Sequence, residues 1–184
     1  MIADHFEQAT VLFADIVNFT PLSARLTPQR VVELLDQIFS AFDSIVGRYE
    51  LEKIKTIGDS YMVVGGLPQT VTDHTERVAR AALEMSPALA RIARDLDLPL
   101  DVRIGMHRGP VVAGVIGRHK FIYDLWGDTV NIASRMESQG FANRIQCTDS
   151  VHEALPREFL FESRGPVDIK GKGLMPTWFL TGVR

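Results

Sequence analysis

Apolar and polar positions alternate along the chain in blocks whose period changes. Residues 9–16 (ATVLFADI) form a short apolar run that stops at the polar Asn18 and Thr20, as a strand does on leaving a core; Asp15 is its one charged member. Thr27-Pro28 then supplies an N-cap followed by proline at the first helical position. Val32, Leu35, Ile38, Phe39, Phe42, Ile45 and Val46 follow at helical spacing and predict an amphipathic helix to about Tyr49. Residues 53–57 and 61–64 read as two strands joined at Gly58-Asp59, a favoured hairpin pair. After the break at 65–68, Val78, Ala82, Met85, Leu89, Ile92 and Leu96 predict a second helix, which Pro87 is expected to kink. Strands at 102–106 and 111–116, on either side of His107-Arg108-Gly109-Pro110, complete the order βαββαβ. That order predicts an α+β fold with a ferredoxin-like core, helices on one face of an antiparallel sheet.

The remainder predicts a C-terminal α/β extension: a strand at 121–125, a helix from about 128 to 137, and short strands near 144–147, 158–162, 167–169 and 178–180. No repeat, low-complexity tract or linker interrupts it, so residues 1–184 are expected to form one domain.

Composition narrows the function classes. With 20 basic and 23 acidic side chains and a formal charge of −3, the chain offers no basic footprint for a nucleic-acid backbone. Cys147 is the only cysteine, which excludes an intrachain disulfide and a thiolate zinc site and suits a reducing, cytoplasmic setting. No basic region followed by an apolar run opens the chain, and no stretch approaches the roughly 20 apolar residues that span a bilayer, so a soluble domain is expected. The five histidines show no H-x-x-x-H spacing and read as scattered surface or capping residues.

A carboxylate at a strand end is ordinarily just solvated, and Asp15 or Asp59 alone would mean little. Together they say more. In a βαββ unit the end of the first strand and the following hairpin lie side by side, which would bring both carboxylates within reach of a shared hard cation. Such an arrangement suits phosphoryl chemistry.

Four blocks now make a resemblance: Phe13-Ala14-Asp15-Ile16-Val17-Asn18-Phe19-Thr20, residues 53–59 (KIKTIGD), residues 123–136 (YDLWGDTVNIASRM) and Lys170-Gly171-Lys172-Gly173. In order and spacing they resemble the signature blocks of class III adenylyl and guanylyl cyclases, from about residue 8 to residue 182. The resemblance implies that Asp15 and Asp59 each coordinate two divalent cations, Mg2+ or Mn2+, with the main-chain carbonyl of Ile16 as a further ligand. It implies that Asn18, Phe19 and Thr20 present backbone N–H groups to the β- and γ-phosphates, and that Lys170 meets the triphosphate. Taken alone, the first segment reads equally as a helix N-cap by Thr20. Asn131 and Arg135, four apart on one helix face, would orient the ribose and stabilise charge on the α-phosphate.

Lys55 and Asp124 match the family's base-reading pair. Lysine is a pure donor and ionised aspartate a pure acceptor, which complements N1 and the exocyclic amine of adenine and mismatches guanine. The two are also expected to pair with each other when no nucleotide is present. ATP is therefore the expected substrate, with a guanylyl cyclase as the nearest rival. A nucleotide-binding regulatory module without turnover would be expected to lack a metal aspartate or the arginine, and a polymerase palm would not explain Asn131, Arg135 and the base pair together.

Pro110 stands where the metal-binding half of some heterodimeric relatives has an arginine near the phosphates, so no phosphate role is assigned there, nor to Arg108. In the family the metal aspartates come from one protomer and the base- and ribose-binding residues from the other. This chain holds both sets, which predicts a homodimer with two equivalent interface sites. Residues 1–7 resemble the end of a linker from an upstream sensor or membrane anchor, so a larger regulated parent is expected.

Overall fold

In a computed structural model, described over residues 2–184, the chain folds around an eight-stranded sheet. The elements are β1 (Ile2–Val17), α1 (Phe19–Ser23), α2 (Pro28–Arg48), β2 (Glu52–Ile57), β3 (Ser60–Gly65), α3 (His74–Leu96) and β4 (Asp101–Ile116). They continue with β5 (Ile122–Trp126), α4 (Asp128–Ser138), β6 (Ile145–Thr148), α5 (Asp149–Ala154), β7 (Phe159–Ile169) and β8 (Gly173–Val183). The strand order β2-β3-β1-β4, with every neighbour antiparallel, is the ferredoxin-like core. The extension adds β6 parallel to β4, then β8 and β7, while β5 folds back on β4.

The apolar run in β1 is continuous because both faces of the sheet are covered. Leu12, Ala14 and Ile16 point to one face, with Tyr61 and Val63, under α2 and α3. Ala9, Val11 and Phe13 point to the other, with Met62, Val111, Ala113, Leu125 of β5 and Ala133 of α4. By the same alternation Asp15 faces the α4 side. The helices start and stop where the caps lie: the Thr27 side chain accepts from the Arg30 N–H, Pro28 opens α2, and α3 accommodates Pro87 without ending.

Several expectations are corrected. Residues 102–106 and 111–116 belong to one strand, and His107-Arg108-Gly109-Pro110 does not interrupt it. Pro110 falls where the β1–β4 register shifts, so its missing N–H breaks no ladder bond. Residues 158–162 and 167–169 likewise merge into β7, whose register shifts absorb Arg164. Residues 2–6, read as linker, are paired with residues 111–115 of β4. Their strand is hard to see in the sequence because its side chains are mostly exposed and show no core face. Helices α1 and α5 were not anticipated; each is too short for a helical period to register.

His74 and His107 are not surface residues. They are 3% and 9% exposed, with the Nδ1 atoms 2.8 Å from the Thr10 hydroxyl and 2.7 Å from the Thr148 hydroxyl.

Candidate active site

Asp15 lies opposite Ser60 of β3 on one side and Arg103 of β4 on the other. Asp59 precedes Ser60 at the tip of the β2–β3 hairpin, where Gly58 takes a left-handed φ of 59° that a glycine adopts without strain. The two carboxylates thereby become close neighbours. Burial first, then the hydrogen bond and negative charge of Asp59, push the Asp15 carboxyl up to about 7, against the opposing pull of Arg103. Arg103 reaches Asp15 Oδ2 with Nη2 at 3.4 Å and donates from Nε to Glu137 Oε1 at 2.9 Å. Burial also raises the Glu137 carboxyl.

At this corner the carboxylates of Asp15 and Glu137 flank one guanidinium, with Asp59 beside Asp15, and the Asp15–Asp59 pair offers hard oxygen donors with excess negative charge that fit a divalent cation. Among the described residues no group of three or more His, Cys, Asp or Glu side chains forms a metal-ligand cluster. The protein would supply Asp15 and Asp59, with the Ile16 carbonyl; the Ile16 side chain is buried beneath the helices and takes no part.

Beyond the strand, Asn18 turns the chain with φ 66° and leads into α1, making no side-chain cap bond. Buried Phe19 anchors the turn, Asn18 and Thr20 stay exposed, and Thr20 lies inside the helix and does not cap it. The first N–H groups of α1 are therefore not taken by a capping side chain.

Lys55 and Asp124 meet as anticipated. Lys55 Nζ donates to Asp124 Oδ2 at 2.6 Å, and the other carboxylate oxygen accepts the Leu125 N–H at 2.8 Å, fixing the acid against β5. Asn131 and Arg135 stand exposed on α4, and neither side chain makes a hydrogen bond or ion pair among the described residues. Lys170 is exposed in the β7–β8 turn, whereas Lys172 is engaged 2.5 Å from Asp128.

Helix α4 runs along β4 at backbone contact. A Cβ on Gly105 would lie 2.0 Å from the Glu137 nitrogen, and one on Gly109 would lie 2.5 Å from the Thr129 hydroxyl. Lys55 and Asp59 lie four positions apart on the β2–β3 hairpin, and no hydrogen bond or ion pair among the described residues joins the Lys55–Asp124 pair to Asp15 or Asp59. Arg103, against Asp15, and Gly114, against Asp124, are eleven positions apart on β4, and the arm that carries β5 folds back so that Asp124 reaches Lys55 of β2.

The sequence reading did not single out Arg103; it considered an arginine near the phosphates only around Pro110 and Arg108 and assigned none. Those residues sit roughly 20 Å further along β4. The available signal was its polarity between Val102 and Ile104; its register against Asp15 was not legible.

The chain matches the model of the adenylate and guanylate cyclase catalytic domain over residues 1–182. It is 48% identical to an adenylate cyclase of Mycobacterium tuberculosis over 99% of its length and 43% identical to a membrane guanylyl cyclase of Dictyostelium discoideum over 98%. It spans 41% and 12% of those relatives. The catalytic core of a rhodopsin-guanylyl cyclase with converted specificity, solved with ATPαS, superposes with a TM-score of 0.93 at 36% identity, each chain covered in full. With its ferredoxin-like core and paired aspartates, the chain belongs to the adenylate and guanylate cyclase catalytic domain family of class III nucleotidyl cyclases.

Proposed function

We propose that the domain converts ATP to 3′,5′-cyclic AMP and pyrophosphate, working as a homodimer whose two sites each draw on both protomers. The observation that carries the choice of ATP is the Lys55–Asp124 pair, a donor and an acceptor presented together. The pair opens to bind adenine, with Lys55 donating to N1 and Asp124 accepting from the exocyclic amine; guanine would set donor against donor and acceptor against acceptor.

Two Mg2+ or Mn2+ ions held by Asp15, Asp59 and the Ile16 carbonyl would supply Lewis acidity, favouring the ribose 3′-alkoxide and offsetting triphosphate charge. The N–H groups from Asn18 to Thr20 bind the β- and γ-phosphates, Lys170 adds charge, and Arg103 is the guanidinium beside the metal carboxylates that meets the triphosphate. From the partner, Asn131 orients the ribose and Arg135 stabilises charge at the α-phosphate. The 3′-oxygen bonds to the α-phosphorus as its bond to the bridging oxygen breaks and pyrophosphate departs. Nucleophile and leaving group share one molecule, so orientation supplies much of the acceleration.

Both residue sets on one chain, with Asn131 and Arg135 exposed and free of hydrogen bonds and ion pairs among the described residues, support the two-protomer site. No helix among the described residues is long and apolar enough to cross a membrane. We place the domain in the cytoplasm, within a parent that carries an upstream regulatory or membrane-anchoring region.

The test is cyclic-nucleotide formation from ATP and from GTP with each metal. ATP should be preferred at least tenfold, and Asp59→Ala should abolish turnover. Equal use of GTP overturns the base assignment, and full activity in Asp59→Ala overturns the metal assignment.

A further inference from the structure

Glu137 has no place in the proposed reaction, yet it is the best-buried charged group near the site. It is 7% exposed, on the sheet-facing side of α4, two residues from the outward-facing Arg135. Its backbone lies hard against β4, because α4 rests on Gly105 where no Cβ would fit. Its carboxylate accepts Arg103 Nε–H at 2.9 Å, whereas the nearest Arg103 nitrogen to Asp15 is 3.4 Å away. The guanidinium therefore sits between two anions and is committed to the one that α4 supplies.

We propose that Glu137 is a positioning residue: it holds the Arg103 guanidinium off Asp15, leaving the Asp15–Asp59 pair free to take divalent cations. The inference rests on the metal reading of that pair. A guanidinium without a competing acceptor forks onto a carboxylate with two parallel N–H bonds. Released from Glu137, Arg103 would close on Asp15 and occupy the oxygens that a cation needs. Held at Nε by Glu137, it reaches Asp15 only with Nη2, at 3.4 Å. Partners that orient metal ligands in this way commonly change metal affinity by about tenfold or more when removed.

Mn2+ binding to the purified domain, without nucleotide, is measured by titration calorimetry for the wild type, E137Q, R103Q and E137Q/R103Q, with D15N as the site control. We expect E137Q to weaken Mn2+ binding about tenfold. R103Q alone should not weaken it, and E137Q should have little effect once Arg103 is gone, because there is nothing left to restrain. That non-additivity separates positioning from the simple loss of a nearby negative charge, which would weaken binding equally in both backgrounds. Equal loss in both backgrounds, or no loss in E137Q, overturns the proposal. Should E137Q not fold, E137D, with its charge kept and its reach shortened by one methylene, is measured in the same two backgrounds against the same criterion. Absence of wild-type binding, or binding unchanged in D15N, overturns the metal reading itself and is distinguishable from either result.

Discussion

Lys55 and Asp124 hold each other at 2.6 Å, so the groups proposed to read the base are held together by their own attraction. Lys55→Glu would place two carboxylates together and offer adenine N1 an acceptor where it needs a donor. ATP turnover should fall at least tenfold while the fold stays intact, measured as kcat/KM for ATP with a thermal melt as control. Arg135, exposed and unpaired, contributes little to the fold, and Arg135→Ala should lower kcat by about a hundredfold or more with an unchanged melting temperature. His107 sets a different limit. Burial pushes its pKa from the ordinary 6.5 down to about 4, so as pH falls the unfolded chain takes up this proton before the folded one does. Its contribution is fully present above pH 6.5 and is lost on descending to pH 4, amounting to roughly 3 kcal/mol at most. Urea unfolding between pH 7 and 4 should show this loss, and His107→Gln should flatten it; an equally steep decline in the variant would remove His107 as the cause.

The elements that position these side chains were legible to different degrees, and the difference is physical. Helices α2 and α3 bury one face each, so their periods and the Thr27-Pro28 start stand out in the sequence. The β2–β3 hairpin was visible because Gly58 meets a turn requirement that few residues can. Asp15 and Asp59 stood out as carboxylates at the ends of apolar strands, whereas Lys55, Asp124, Asn131 and Arg135 were legible only through the resemblance to the cyclase signature blocks. The extent of β4 was hidden: a Gly-Pro pair normally ends a strand, and only the bulge in β1 makes Pro110 tolerable there. Arg103 and Glu137 were hidden for a related reason, since their pairing depends on how α4 lies across β4, which no local pattern encodes. Gly105 permits that crossing. Gly105→Ala would set a methyl 2.0 Å from the Glu137 nitrogen and force α4 outward. A loss of about 2–3 kcal/mol is expected, seen as a fall of roughly 5–10 °C in melting temperature together with reduced cyclase activity. An unaltered melt would mean that α4 can shift without resistance.

On the scale of the whole molecule, one chain carries the residues proposed for both half-sites, with Asp15 beside one end of β4 and Asp124 beside the other. The end bearing Asp124 extends into an arm formed by the start of β1, the end of β4 and β5, on which Ile2, Ile116, Phe121 and Ile122 are each more than half exposed. An exposed apolar cluster of that kind at the edge of a domain is suited to burial against a second copy. If each site pairs the metal carboxylates of one protomer with Arg135 of the other, two inactive variants must rescue one another. In a heterodimer of Asp59→Ala with Arg135→Ala, both lesions fall in one site and the second site is intact. Random 1:1 association makes half the dimers mixed, and each has one working site of two, so co-refolded variants should recover about a quarter of wild-type activity. Sites built within single chains would give no rescue, because every chain in the mixture would carry its own lesion. The rescued activity should also fall on dilution in parallel with the dimer fraction measured by light scattering, since no subunit holds a complete site alone.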